Sequence, residues 1–220
     1  MKRFAAIAAT AAVVSGLLGF VGALRAAPID DLTLAAANDN VHAMTTLLVR
    51  GVDPNGRDAQ GRSALETALR ESSSGVVGAL LRLPVLDVNS ANAVDESPLM
   101  LAALMGQLDA AKQLAARGAL INKPGNKPGW TPLHYACSGP DEGVITWLLA
   151  QGADINARSP NGSTPLMMAA RYGSLDAPGL LLAAGADVNL RNDQGLQAVD
   201  FARAAGRDEL VKRLVVMTAK

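Results

Sequence analysis

Two histidines, His42 and His134, and one cysteine, Cys137, are the side chains best suited to act as base, nucleophile or soft metal ligand in this chain. A cysteine nucleophile needs a neighbouring base or positive charge to populate its thiolate, and the sequence places none beside Cys137. No His, Cys and carboxylate grouping has metal-ligand spacing. No glycine-rich phosphate loop, dinucleotide fingerprint or serine elbow is present. The carboxylates that stand out, Asp53, Asp87, Asp154 and Asp187, recur at similar places in a repeated pattern, which points to turn-making rather than acid–base work. Neither an enzyme nor a cofactor or metal site is therefore expected. The lone cysteine also excludes an intramolecular disulfide framework.

The elements carrying these residues repeat. Thr131-Pro132-Leu133-His134, then Leu148-Leu149, then Gly152-Ala153-Asp154-Ile155-Asn156 is followed by the same order in Thr164-Pro165-Leu166, Leu181-Leu182 and Gly185-Ala186-Asp187-Val188-Asn189. Weaker copies lie on the same grid, with starts near residues 30, 63, 97, 131, 164 and 197. Each unit reads as two helices and a turn. Thr131 and Thr164 suit N-caps, with Pro132 and Pro165 at the first helical position, where a missing N–H is harmless. Leu133, Ala136 and Cys137 form one apolar stripe and Val144, Leu148 and Leu149 a second. Gly152 suits a left-handed helix stop, and Asp154 and Asn156 the turn after it. A single unit cannot bury both faces, so the units must stack. Pro178-Gly179 predicts a kink or late start in the second helix of the fifth unit, and Ser72–Gly75 a soft turn in the second.

In-phase copies of T-P-L, T-P-L-H and Gly-Ala-Asp-x-Asn with a 33-residue period resemble the ankyrin-repeat family over residues 28–220. The resemblance implies an all-α solenoid of about six helix–turn–helix repeats with protruding loops. It also implies that His134 serves hydrogen bonding within and between repeats, and that loop tips and first helices form a concave surface for another protein. On this chain that surface would draw on Lys123 and Lys127, Arg158 and Asn161, Arg191, Asn192 and Asp193, and on Arg171 and Tyr172 at a first-helix end. Trp147 precedes a leucine pair and is an exposed anchor on one reading and inter-repeat packing on the other.

Composition suits closely packed helices and narrows the class of partner. Half of the residues are hydrophobic but only 3% are aromatic, and the formal net charge is zero, without the basic surplus that nucleic-acid binding needs. Residues 1–26 read as a signal peptide: Lys2 and Arg3, an uncharged apolar run from Phe4 to Leu24, then small residues near Ala23, Ala26 and Ala27, with cleavage after Ala26 favoured over cleavage after Ala23. An uncleaved membrane anchor is the alternative. Cleavage after Ala26 leaves 17 Lys and Arg against 20 Asp and Glu, a net charge of −3. The expectation is a periplasmic, monomeric protein-binding adaptor or scaffold comprising residues 27–220. The alternatives are an inhibitor, immunity protein or stabiliser of a periplasmic enzyme, or a scaffold tethered to the inner membrane and facing the periplasm.

Overall fold

A computed structural model describes residues 28–125 and 129–218. The signal-peptide reading of residues 1–26 lies outside them. Within them the chain is all-helical, in six consecutive pairs: α1 (Pro28–Ala37) and α2 (Val41–Val49), α3 (Ala64–Arg70) and α4 (Ser74–Leu80), α5 (Pro98–Leu104) and α6 (Leu108–Ala116), α7 (Pro132–Ser138) and α8 (Glu142–Ala150), α9 (Pro165–Tyr172) and α10 (Ala177–Ala183), α11 (Ala198–Ala204) and α12 (Asp208–Thr218). The first helix of each pair packs on the first helix of the next, forming one row, and the second helices from α2 to α10 pack likewise in a parallel row. None of these helices is long and apolar enough to cross a membrane.

Local chemistry starts and stops the helices. Ser63, Ser97 and Thr164 accept from the backbone N–H three residues on, and Pro98, Pro132 and Pro165 open α5, α7 and α9. Pro178 gives a late start rather than a kink, since α10 begins at Ala177 with the proline in its first turn. Gly152 ends α8 with φ +83°, the left-handed stop expected of it. The first-helix row packs closely enough at Gly173 that a Cβ there would lie 2.4 Å from the carbonyl oxygen of Cys137. The Ser72–Gly75 turn, expected to be soft, is tied down. Ser73 is buried, and Asp39 of the first repeat accepts from the backbone N–H groups of Gly75 and Val76.

Polar side chains sew each repeat to the next. Asn55 donates to the carbonyl of Val85 and accepts from the N–H of Asp87. Asn89 does the same with Gly118 and Leu120, and Asn122 with Gly152 and Asp154. Asn156 accepts from Asp187. At about 1 kcal/mol net per hydrogen bond, this asparagine ladder adds modestly to every junction it spans. Arginines do similar work. Arg117 reaches the carbonyls of Leu81, Pro84 and Leu86, and Arg207 those of Ala169, Ala170, Gly173 and Ser174.

The apolar core has two clusters. One is centred on residues such as Leu32, Leu69, Leu99 and Leu114, the other on Leu133, Ile145, Leu166 and Leu214. Trp147 and Ile121 pack against both. Trp147 is thus only partly exposed and serves as the joint between the two halves of the core, which corrects its reading as an exposed anchor. Its indole gains more from packing against two clusters than from standing in water.

Candidate protein-binding face

Four of the five hairpins between consecutive repeats are closed in the same way. In each, a backbone N–H at the start donates to the carbonyl four residues later, from Asp58 to Arg62, Asn92 to Glu96, Ser159 to Ser163 and Asn192 to Leu196. In three of the four the side chain of that first residue also accepts from two tip N–H groups: Asp58 from Gln60 and Arg62, Asn92 from Val94 and Glu96, and Asn192 from Gln194 and Leu196. Asn192 is accordingly 6% exposed. Its side chain builds the loop and is not free to meet a partner, a correction to its sequence reading. Asn161 is exposed but accepts from the hydroxyl and backbone of Ser159 and Ser163 respectively. The third hairpin closes from the Gly125 N–H to the Trp130 carbonyl. Lys123 is exposed before it, while Lys127 falls outside the described residues.

Arg158 bridges to the next hairpin by donating to the carbonyl of Arg191, whereas Arg191 donates to the Gly195 carbonyl within its own hairpin. Both remain exposed, as do Asp193, Arg171 and Tyr172. Arg171 lies over the Tyr172 ring at 5.2 Å. Of the residues singled out from the sequence, Asn161, Asn192, Arg171 and Tyr172 come together around one groove of about 270 Å³. It lies between the hairpin tips and the α9 and α11 helices. Sequence reasoning missed its apolar surface, provided by Trp130, Met168, Leu196 and Phe201. Met168 and Phe201 are 3% and 9% exposed. Both sit five residues into their repeats, a position where side chains differ from copy to copy, so periodicity alone offered no signal.

A second polar region, also missed, occupies the same face in repeats 2 to 4. Glu66, in the second repeat's counterpart of the T-P-L-H histidine position, lies 3.8 Å from Arg57 and 3.4 Å from Arg70. Arg70 reaches on to Glu96 at 2.5 Å, Asn92 donates to both carboxylates, and the Tyr135 hydroxyl donates to Glu96. Burial, with the Glu96 charge adding to it, pushes the Tyr135 hydroxyl well above the ordinary phenol range. The glutamate in this motif slot was the signal available in the sequence.

His134 and Cys137 are structural. The backbone N–H of Thr131 donates to His134 Nδ1 at 3.2 Å, so the proton sits on Nε2, which donates to the carbonyl of Ser163 at 3.1 Å. One ring thus caps its own helix and holds the next hairpin. Burial lowers its pKa to about 4, against the opposing pull of the Ser163 carbonyl and Asp154. Cys137 is fully buried, which pushes its thiol far up and away from a reactive thiolate.

Comparison with known proteins places this architecture. A profile of ankyrin repeats in three copies matches residues 84–159, and one of ankyrin repeats in many copies matches residues 148–202. The chain is 35% identical over 111 residues to ankyrin repeat domain-containing protein 37 of Bos taurus, covering 50% of this chain and 70% of that protein. It is 41% identical over 86 residues to an ankyrin repeat protein of Acanthamoeba polyphaga mimivirus, covering 37% of this chain and 12% of that protein. The human 2-5A-dependent ribonuclease is 38% identical over 84 residues, and there too the match spans only 11% of the relative. Among solved structures, a chain from the complex of a predatory endopeptidase of Bdellovibrio bacteriovorus with an immunity protein superposes with a TM-score of 0.74 and 26% identity. The superposition covers 84% of this chain and 96% of that one. Six stacked helix pairs, the shared hairpins and these matches lead to one statement of kinship: the chain belongs to the ankyrin-repeat family.

Proposed function

We propose that this chain is an exported, non-catalytic binding protein of the immunity type, which docks on an enzyme of the periplasm through its hairpin tips and first-helix face and restrains it. Ankyrin repeats mediate protein–protein interaction, and that part of the reading follows from the family. The observation that carries the rest is the likeness, over nearly all of the neighbour's length, to the ankyrin-like member of an endopeptidase–immunity protein complex. A rigid array joined by the asparagine ladder suits docking with little change of shape. Export is supported by the basic start and apolar run of residues 2–26. If residues 4–24 stay attached, the same face serves a membrane-tethered scaffold. If the bound enzyme stays active, the adaptor reading replaces the inhibitory one.

The test is a titration of chain 27–220 against purified exported endopeptidases of its source organism, followed by turnover and by light scattering of the complex. Loss of turnover at one equivalent, with a one-to-one complex, is the expected result. A complex with undiminished turnover moves the protein to the adaptor class, and no complex with any of them sinks the proposal. An alkaline phosphatase fused after residue 27 should be active only outside the cytoplasm, and an inactive fusion overturns the export reading.

A further inference from the structure

The hairpin bonds put repeats 2 and 5 in register: Asn92 N–H to Glu96 carbonyl in one, Asn192 N–H to Leu196 carbonyl in the other. Arg57 donates to the carbonyl of Ala91 as Arg158 does to that of Arg191. The hairpins that precede these repeats, Asp58 N–H to Arg62 carbonyl and Ser159 N–H to Ser163 carbonyl, set Arg70 against Arg171 and Glu66 against Met167, and the hairpins that follow them set Glu96 against Leu196. Each of the two repeats is therefore preceded by an arginine in the hairpin that leads into it and carries a second at the end of its first helix. In repeat 2 the pair closes on two carboxylates of its own chain. In repeat 5 those two places hold a methionine and a leucine. Among the described residues, Arg171 forms no ion pair, and its guanidinium rests on Tyr172 instead. Asp193 Oδ1 and Arg158 Nη2 both overhang Gly162 without forming an ion pair. Asp200, the acid lining the groove, is engaged by Arg203 and by the backbone N–H of Gln197.

The unpaired arginine stands at a cavity. Arg171 lines the 270 Å³ groove together with Leu196, Met168 and Phe201, so the place that Glu96 fills beside Arg70 is here open to a side chain from outside. We propose that this groove takes an acidic side chain of the bound protein. Its carboxylate pairs with Arg171 as that of Glu96 pairs with Arg70, and a neighbouring apolar side chain lies over Met168 and Phe201. The inference rests on the protein-binding reading above and specifies its chemistry. An arginine already oriented at the edge of an apolar floor is a suitable carboxylate receptor, because part of the fork's ordering cost has been met before binding. The partner surface is accordingly acidic with an apolar or aromatic centre, although the array itself is not basic overall.

The test uses the full mature chain and two short peptides, acetyl-Glu-Phe-Glu-amide and acetyl-Gln-Phe-Gln-amide, with inorganic phosphate as a third probe. Binding is followed by the NMR signals of the Arg171 Nε–H and of Met168 and Phe201. The expected result is binding of the acidic peptide up to about fivefold tighter than its amide counterpart, the upper end of what an exposed ion pair contributes. Leu196→Glu, which restores the carboxylate of repeat 2, should fill the site from within and bring the acidic peptide down to the level of the amide one, with the melting temperature not lowered. Arg171→Gln should do the same by removing the receptor. Equal binding of the two peptides, or undiminished binding by both variants, overturns the proposal. So does phosphate shifting Arg171 as far as the acidic peptide does without touching Met168 and Phe201, which would leave only a nonspecific anion contact. The readout is independent of enzyme inhibition: a chain that discriminates the peptides yet inhibits no endopeptidase refutes the immunity reading alone, and the reverse pattern refutes this one alone.

Discussion

Repeats 2 and 5 share a backbone plan and the same two arginines, and they use them in opposite ways. In repeat 2 Arg57 and Arg70 are consumed inside a network with Glu66, Glu96, Asn92 and Tyr135. At repeat 5 Met167 and Leu196 stand in the places of the two glutamates, and Arg158 and Arg171 remain exposed without an ion pair among the described residues. The first arrangement holds repeats together and the second is available to a partner. Counting charged residues on the two regions would not separate them; what separates them is whether each arginine has its counter-ion within the chain.

The comparison can be tested through the motif position that differs most, occupied by Glu66, His134 and Met167 in repeats 2, 4 and 5. The largest effect belongs to His134, the neutral case. Its folded pKa of about 4 lies below the ordinary 6.5, so its contribution is complete above pH 6.5 and is lost as pH falls towards 4. The difference amounts to about 3 kcal/mol at most. His134→Met, which copies repeat 5, should flatten the urea-denaturation free energy across that pH window. A variant that keeps the wild-type slope would move the acid sensitivity to another group. Next comes Glu66→Met, which leaves Arg57 and Arg70 as repeat 5 leaves its pair. Both arginines are partly solvated, so the cost should be about 1–2 kcal/mol, read as a lower urea midpoint. No change would mean the network adds nothing to stability.

Leu196→Glu runs the comparison in reverse. It should raise stability by up to about 1 kcal/mol, and a double-mutant cycle with Arg171→Gln should remove the gain. A gain that survives without Arg171 would show that the new carboxylate pairs elsewhere. The smallest effect should come from Arg158→Ala, which loses the bond to the Arg191 carbonyl at an exposed tip and should cost about 0.5 kcal/mol. A markedly larger loss would make Arg158 a structural strut like Arg207.

Much of this architecture was legible because its causes are local. Thr131, Pro132, Gly152 and Asp154 act within a few residues of themselves, and their 33-residue recurrence exposes the stacking. The late start of α10 followed from Pro178 for the same reason. What could not be read was direction. Asn156 and its counterparts looked like turn residues, yet their side chains bond the next repeat about thirty residues away. Glu66 follows Ser63 at capping-box spacing, but its carboxylate turns to arginines rather than back to its own helix start. Asn192 and Asp193 are neighbours in a polar loop, and only the hairpin geometry decides that the first is buried and the second exposed. For the groove, the sequence offered its polar rim, Arg171 and Tyr172, and concealed its floor, because Met168 and Phe201 occupy a position without a consensus residue.

The asparagine ladder has a consequence for how such a chain changes length. Each rung needs an asparagine on one repeat and only main-chain atoms on the next, so it asks nothing of the neighbour's side chains. A repeat copied in tandem arrives with its own rung and with main-chain atoms ready for the rung before it. The junctions work like identical couplings on a train: carriages can be added or removed in the middle, while the engine and the last carriage stay as they were.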